Sequence, residues 1–223
     1  AFLVKRGLWL VFLEMIVMNF GWNFNIQFPV FFFITIWALG ISMIVLAALI
    51  HFPKKIILAF CIILVAGHNL LDGVHITGNT VPAFGWSLLH EQQFFTWHGE
   101  MLLVGYPVIP WIGVMPLGYL MGAWYASDYN AEKRKKNLLI LGTAAIVAFI
   151  ILRYSNLYGD PEKWATQNNP FFTLLSFINV NKYPPSLLYI LITLGPSLLF
   201  LAVTEKLNGA VVKVVSVYGR VPM

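Results

Sequence analysis

The chain has 223 residues, of which 59% are hydrophobic and only 10% are charged, and its mean hydropathy is +0.78. A soluble domain of this length could not bury so many apolar side chains in one core, so an ordinary soluble protein is excluded. The net charge of +5 is spread over short basic runs between apolar segments, which excludes the continuous basic face of a nucleic-acid-binding protein. The single cysteine, Cys61, excludes an intrachain disulfide.

Six apolar segments are long enough to cross a membrane as helices of about 20 residues. In chain order they cover residues 2–22, 28–51, 56–71, 100–126, 137–154 and 184–204, and a seventh begins near Val211. The fourth contains Pro107, Pro110 and Pro116, which remove backbone donors and predict a kinked or broken helix. The sequence therefore predicts an all-α, polytopic bundle of about six transmembrane helices, organised as one domain over residues 1–223.

The positive residues divide unequally when the connections are assigned alternately to the two sides of the membrane. One side receives Lys5, Arg6, Lys54, Lys55, Lys133, Arg134, Lys135, Lys136, Lys206, Lys213 and Arg220. The other side receives only Arg153, Lys163 and Lys182. Because cytoplasmic loops carry the excess of Lys and Arg, the first side, with the N-terminus, is predicted to be cytoplasmic.

Two connections on the predicted outer side, residues 72–99 and 155–183, are far longer than a helix hairpin requires. Both contain several aromatic residues, which argues against disorder. We expect these outer connections to fold over the mouth of the bundle.

A polar cluster, Gly67-His68-Asn69-Leu70-Leu71-Asp72, ends the third apolar segment. His68 and Asp72 are four residues apart, so on an α-helix their side chains share a face and predict a hydrogen-bonded acid–base pair. A histidine oriented by a carboxylate is a common general base. The alternative is a structural polar pair that caps the helix end.

Three more histidines follow on the same predicted side, His75, His90 and His98, together with Glu91 and Glu100. Such residue types can bind a metal ion, but their spacings match none of the compact ligand motifs. We therefore expect no metal site.

Glu14 lies inside the first apolar segment, where a carboxylate is costly unless it is paired, protonated or facing a polar cavity. It is therefore either a functional residue or part of a structural hydrogen bond to a neighbouring helix. Asn19, Asn23 and Asn25 follow toward the outer end of the same segment and either continue a polar path or cap the helix.

Arg153 and Lys182 are among the few cations on the predicted outer side. Their position suggests that they hold an anionic group or pair with Asp160 or Asp72. Simple ion pairing is the alternative to a binding role.

Eight short motifs follow one another in a recognisable order. They are Lys5-Arg6-Gly7-Leu8-Trp9-Leu10, Gly67-His68-Asn69-Leu70-Leu71-Asp72, Tyr106-Pro107 through Pro110-Trp111-Ile112-Gly113-Val114-Met115, Tyr158-Gly159-Asp160-Pro161, Leu175-Ser176-Phe177, Lys182-Tyr183-Pro184-Pro185-Ser186-Leu187, Thr193-Leu194-Gly195-Pro196 and Gly219-Arg220-Val221-Pro222. In this order, and over essentially the whole chain, they resemble bacterial relatives of the heparan-α-glucosaminide N-acetyltransferase catalytic-domain family, which belongs to a wider group of transmembrane acyltransferases.

The resemblance implies a polytopic enzyme that takes an acyl group, such as acetyl, from acyl-coenzyme A and delivers it to a sugar or glycan across the membrane. In such an enzyme His68 and Asp72 are expected to activate or position the acceptor. Seven further residues are expected to contact substrate or to order the outer connections: Glu14, Asn69, Arg153, Tyr158, Asp160, Lys182 and Tyr183. The expected surroundings are the bacterial inner membrane, with a homodimer as a further expectation.

Members of the family usually begin with two more helices, the first carrying a histidine near an Arg-Gly pair, and end with a further helix. This chain has no counterpart of them, so we expect it to be a fragment, with a degenerate member of the family as the alternative. Two other functions agree with the residues alone. A proton-coupled transporter or flippase would use Glu14, His68 and Asp72 as a relay, and a noncatalytic membrane scaffold would use none of them.

Overall fold

The structure is a computed structural model that describes residues 1–97, 99–205, 207 and 209–219. Two of the predicted cytoplasmic cations, Lys206 and Arg220, lie outside the described residues, as do His98 and the end of the last sequence motif. The described chain is mostly helical, as predicted, but it also contains a small β-sheet, so the all-α prediction is wrong in that respect.

The first predicted helix is confirmed, with α1 (Phe2–Leu13) and α2 (Asn19–Asn23) joined by a π-helical turn over Glu14–Met18. The wide turn forms at Asn19, whose backbone N–H bonds to the Glu14 carbonyl five residues earlier. The Asn19 side chain donates to the same oxygen at 2.7 Å. The helical run ends where Phe24 adopts a left-handed φ of 47°.

The unexpected sheet consists of β1 (Val30–Phe33), β2 (Gln93–Trp97) and β3 (Glu100–Val104). The central strand β3 pairs parallel with β1 and antiparallel with β2. The second and fourth predicted helices are therefore wrong over their first residues. They begin later, as α3 (Thr35–Leu49) and α6 (Ile109–Gly122).

Two asparagine side chains hold β1 on the edge that does not pair with β3. Asn19 Oδ1 accepts from the Phe32 N–H at 2.7 Å, and Asn19 Nδ2 donates to the Phe32 carbonyl at 3.0 Å. Asn23 holds Val30 in the same way, at 3.3 Å and 2.8 Å. The two amides thus replace a neighbouring strand and satisfy backbone groups that would otherwise lack partners.

The remaining helices lie partly in predicted apolar segments and partly in the two long connections. In the first half, α4 (Lys54–Gly67) continues into a 3₁₀ turn, His68–Leu71, and is followed by α5 (Val81–Leu89). In the second half come α7 (Ala131–Ser155), α8 (Pro170–Ile178), α9 (Leu187–Thr204) and α10 (Ala210–Gly219). Three of these helices (α4, α7 and α9) follow predicted apolar segments, while α5 and α8 lie in the two long connections. Asn130, Asn169 and Ser186 cap α7, α8 and α9, since each side chain accepts from a first-turn N–H.

Three of the described helices are long and apolar enough to cross a membrane: Lys54–Leu71, Ala131–Ser155 and Leu187–Thr204. The helix Thr35–Leu49 is apolar but shorter. These helices expose large apolar side chains such as Ile63, Ile151 and Phe200. Such faces fit a lipid environment, because soluble proteins rarely expose wide apolar surfaces.

Paired glycines allow two helix pairs to approach closely. A Cβ on Gly7 of α1 would lie 2.6 Å from the carbonyl oxygen of Gly40 in α3. A Cβ on Gly142 of α7 would lie 2.9 Å from the carbonyl oxygen of Gly195 in α9. Close backbone contact at small residues is a common way to pack helices in membranes, where lipid removes the hydrophobic driving force between them.

Helices α4 and α7 run in one direction and α9 runs back. Asn69, just after α4, accepts from the backbone N–H of Leu187 at the start of α9. At the other end, Arg134 in the first turn of α7 pairs with Glu205, just after α9. We call the end of the bundle that contains Asn69 and the start of α9 the site end. The opposite end contains Lys54, Lys55 and the basic run 133–136.

Candidate functional site

The beginning of α9 is the point where three of the sequence motifs meet. Asn69 Oδ1 accepts from the Leu187 N–H at 2.9 Å, and the Leu188 N–H donates to the Gly159 carbonyl at 2.9 Å. Ser186 Oγ accepts from the Tyr189 N–H at 3.0 Å. The first N–H groups of a helix have no partners within the helix, so these contacts explain why the motifs come together there.

Asp160 accepts hydrogen bonds from groups of the second long connection and does not lie on an open surface. Its Oδ2 accepts from the Asn181 N–H at 2.8 Å and from Ser186 Oγ at 2.6 Å, while Oδ1 accepts from the Glu162 N–H at 2.9 Å. Its side chain is almost fully buried. The geometry fits the expectation that Asp160 orders the outer connection.

His68 does not form the predicted pair with Asp72. Its Nδ1 lies 3.0 Å from the carbonyl oxygens of Leu64 and Val65, and its Nε2 lies 3.0 Å from that of Pro185. The predicted pair assumed an α-helix, but the chain tightens into a 3₁₀ turn at His68. With three residues per turn, positions four apart no longer share a face, whereas positions three apart do.

His68 is only 2% exposed and is surrounded by acceptors. Carbonyl oxygens only accept hydrogen bonds, so the ring nitrogen of His68 that carries the hydrogen is a donor, and the ring lies between the end of α4 and the Pro185 segment. Neither ring nitrogen faces the cavity-side carboxylate of Asp72. The sequence-based role of His68 as a general base therefore lacks the geometry it requires.

Asp72 is held by two other side chains. Asn69, three residues earlier on the 3₁₀ turn, donates through Nδ2 to Asp72 Oδ2 at 2.8 Å. His90 Nε2 lies 3.1 Å from Asp72 Oδ1. Because a carboxylate accepts hydrogen bonds, the Nε2 atom of His90 carries the hydrogen of this bond.

His90 is the site residue whose role the sequence analysis missed. It follows α5, is 3% exposed, and its Nδ1 atom has no hydrogen-bond partner among the described residues. The rings of Trp86 and His68 lie beside it, with centroids 5.4 Å and 6.1 Å away. No spacing signal links His90 to Asp72, because the two residues come from different elements and meet only in the fold.

A cavity of about 310 Å³ opens beside this pair. Its lining residues are Asp72, Val74, His75, His90, Glu91, Gln92, Pro161, Glu162, Asn181, Tyr183 and Pro184. Asp72 is 21% exposed and is the member of the pair that reaches the opening. Three of the lining residues are Asp or Glu and none is Lys or Arg, so the cavity is acidic and suits a ligand that carries hydroxyl or amino groups.

Two tyrosines and Lys182 border the same region. Tyr183 lines the cavity, and the Lys182 ammonium lies 5.1 Å from the centroid of its ring. A hydrogen bond to Tyr183 is the main cause that raises the pKa of Lys182. Tyr158 donates to the Ala66 carbonyl, and burial raises the pKa of its hydroxyl. Lys182 therefore lies against an aromatic ring, while Tyr158 joins the second connection to α4.

Arg153 is buried and makes contacts within the second long connection, as in the ion-pairing alternative to a binding role. It is 2% exposed, and its guanidinium donates to the carbonyls of Phe177, Glu162, Ser176 and Asn179. The carboxylate of Asp160 lies 3.9 Å away, as the ion-pair alternative predicted. Four of the five N–H donors of an arginine are thus occupied by the outer connection.

Glu14 lies away from the cavity. It makes structural hydrogen bonds to a neighbouring helix, which is the alternative to a functional role. Its Oε2 atom accepts from the N–H groups of Ile36 at 2.9 Å and Trp37 at 3.3 Å. These are first-turn donors of α3, whose own N-cap residue, Ile34, provides no side-chain cap. The carboxylate caps α3 from a neighbouring helix and complements its dipole.

Within the described residues, no group of three His, Cys, Asp or Glu side chains is arranged to hold a metal ion. A mostly helical chain with three helices suited to crossing a membrane and a polar cavity at one end has the architecture of an integral membrane protein. A sequence model of the family described as heparan-alpha-glucosaminide N-acetyltransferase, catalytic, matches residues 2–158, and the chain belongs to this family. No curated protein sequence and no solved structure matches the chain.

Proposed function

We propose that this chain is part of a membrane-embedded acyltransferase that moves an acyl group, with acetyl as the first candidate, from acyl-coenzyme A to a sugar or glycan. The observation that carries the proposal is the Asp72–His90 pair beside a polar cavity in a member of this family. The cavity is the proposed acceptor site, and Asn69 and Tyr183 are its proposed contacts with the acceptor.

Asp72 is the proposed acid–base group of the transfer. The acceptor nitrogen or oxygen attacks the thioester carbonyl and loses its proton to the Asp72 carboxylate. The carbon–sulfur bond then breaks, and coenzyme A leaves as a thiolate that takes up a proton to become the thiol. His90 supports Asp72 from behind, while His68 positions the Pro185 segment at the edge of the cavity.

The basic residues at the opposite end of the bundle suit the donor. Lys54, Lys55, Lys133 and Lys136 are exposed there, and such residues attract the phosphates of coenzyme A. The positive-inside rule would make this end cytoplasmic, with the site end on the outer face of a bacterial inner membrane. A complete bundle of at least six spans, alone or as a homodimer, would let donor and acceptor enter from opposite sides.

The test uses the purified full-length protein in sealed vesicles with radiolabelled acetyl-coenzyme A and a panel of free sugars and amino sugars. We expect labelled acyl sugar to form and Asp72→Asn to reduce its rate by at least about 100-fold, the usual minimum for losing an acid–base group. The matched control, Asp128→Asn, changes an exposed carboxylate away from the cavity. Proton-driven solute uptake without acyl transfer would instead identify a transporter.

A further inference from the structure

Helix α8 has its polar and apolar faces in the reverse of the arrangement expected in water. It contains no charged residue, and its exposed large side chains are Phe171, Phe172, Leu174, Leu175 and Ile178. At 100° per residue these positions spread over roughly 160° of the helix circumference. A surface helix in water would instead turn such a face toward the protein core.

The polar face of α8 is the one that is bound to protein. Thr173 Oγ1 accepts from the Gln167 N–H at 2.9 Å, and Ser176 Oγ accepts from the Ala165 N–H at 3.1 Å. The preceding connection therefore covers the hydroxyl groups of α8. The apolar side chains are left as its outward surface.

The position of α8 is fixed against a candidate membrane span. Arg153, in the last turn of α7, donates to the carbonyls of Ser176 and Phe177 at the end of α8. The Phe177 ring also packs on Phe149, with centroids 5.9 Å apart. Phe149 lies about 9 Å along the axis from the end of α7, so the C-terminal end of α8 lies beside the last turns of the span.

We propose that α8 is an interfacial membrane helix whose exposed face is covered by the acyl chains of the lipid leaflet at the site end. Interfacial helices bury their apolar faces a few ångströms deep in the lipid. The uncharged apolar residues of α8 face outward beside a membrane span, where such burial is possible. Arg153 ties α8 to Glu162, which lines the cavity. Lipid contact thereby anchors one wall of the candidate site.

Spin labels test this placement without requiring any activity. The single cysteine, Cys61, is fully buried, so Cys61→Ala provides a background for single labels at Phe172→Cys and Leu175→Cys. The matched control is Lys163→Cys, an exposed position in the polar connection. The full-length protein is reconstituted in phosphatidylcholine vesicles, and collision of each label with oxygen and with a water-soluble nickel chelate is measured.

Oxygen concentrates in lipid and the chelate remains in water. A face covered by lipid, by water or by protein therefore gives a different combination of the two collision rates. We expect labels at positions 172 and 175 to show an oxygen-to-nickel accessibility ratio several-fold higher than the label at 163. A ratio equal to that at 163 means water covers the face, and low access to both reagents means protein covers it. Either of these results, in variants that elute like the parent on size exclusion, overturns the proposal.

Discussion

The Nε2 atom of His90 lies 3.1 Å from the Oδ1 atom of Asp72, although 18 positions separate the two residues in the chain. Asn69 holds the other carboxylate oxygen, so the orientation of Asp72 is fixed from two sides. His90 is buried and Asp72 reaches the cavity, which makes the carboxylate the group that meets a ligand. The imidazole behind it orients the carboxylate and stabilises its charge.

His68→Leu should reduce stability more than it changes chemistry. The substitution keeps an apolar volume but removes the ring N–H that bonds a buried carbonyl, at Pro185 or at the end of α4, which costs about 1–3 kcal/mol. We expect a lower midpoint of thermal unfolding in detergent and a rate per folded molecule that falls far less than in Asp72→Asn. A variant of unchanged stability that had lost acyl transfer would return His68 to the acid–base role.

Glu14→Gln should fold and function normally, because an amide oxygen can still accept from the N–H groups of Ile36 and Trp37. Glu14→Leu removes the cap of α3 and should destabilise the protein by about 1–2 kcal/mol. Equilibrium unfolding measures the difference. A proton relay through Glu14 predicts the opposite result, namely that Glu14→Gln abolishes function while the fold remains intact.

In the variant Arg153→Lys, the lysine should not take over the structural role of Arg153. A lysine offers three donors from one nitrogen and cannot span the carbonyls of Ser176, Phe177 and Glu162 that the guanidinium joins. We expect a loss of about 1–3 kcal/mol for each buried carbonyl left without a donor, and earlier cleavage within residues 155–183 during limited proteolysis. The contradicting result is a cleavage pattern identical to that of the parent protein.

Gly142→Ala should weaken the contact between α7 and α9, since the added Cβ would lie 2.9 Å from the Gly195 carbonyl oxygen. Overpacking of this kind costs about 1–3 kcal/mol. The matched control is Gly118→Ala in α6, where no atom lies within 4 Å of the new Cβ. Since alanine favours helices, the control should be neutral or stabilising by up to about 1 kcal/mol. Equal effects in chemical unfolding would contradict the close helix contact.

Among the described residues, three of the six apolar segments correspond to helices long and apolar enough to cross a membrane, so six spans are not confirmed. Those three could be predicted because lipid-facing helices must be apolar along their length. The same signal could not separate the strands Val30–Phe33 and Glu100–Val104 from the helices that follow them. A short apolar run is compatible with either structure, and the decision lies with distant partners such as Asn19.

The candidate site could be located from the sequence but not assembled from it. The polar cluster from His68 to Asp72 does border the site end, and Asn69 and Tyr183 are close to the cavity. The predicted His68–Asp72 pair failed because it assumed 3.6 residues per turn where the chain has a 3₁₀ turn. The true partner, His90, lies in another element, so no local periodicity could identify it.

A double-mutant cycle on the full-length protein tests most directly whether Asp72 and His90 act as one unit in acyl transfer. The rates of acetyl transfer, as kcat/KM, are compared for Asp72→Asn, His90→Asn and the double variant. Residues that act as a unit are strongly non-additive, so the double variant should be no slower than Asp72→Asn alone. Strictly multiplicative losses would show that the two residues act independently. A normal rate in Asp72→Asn would show that Asp72 is not the acid–base group.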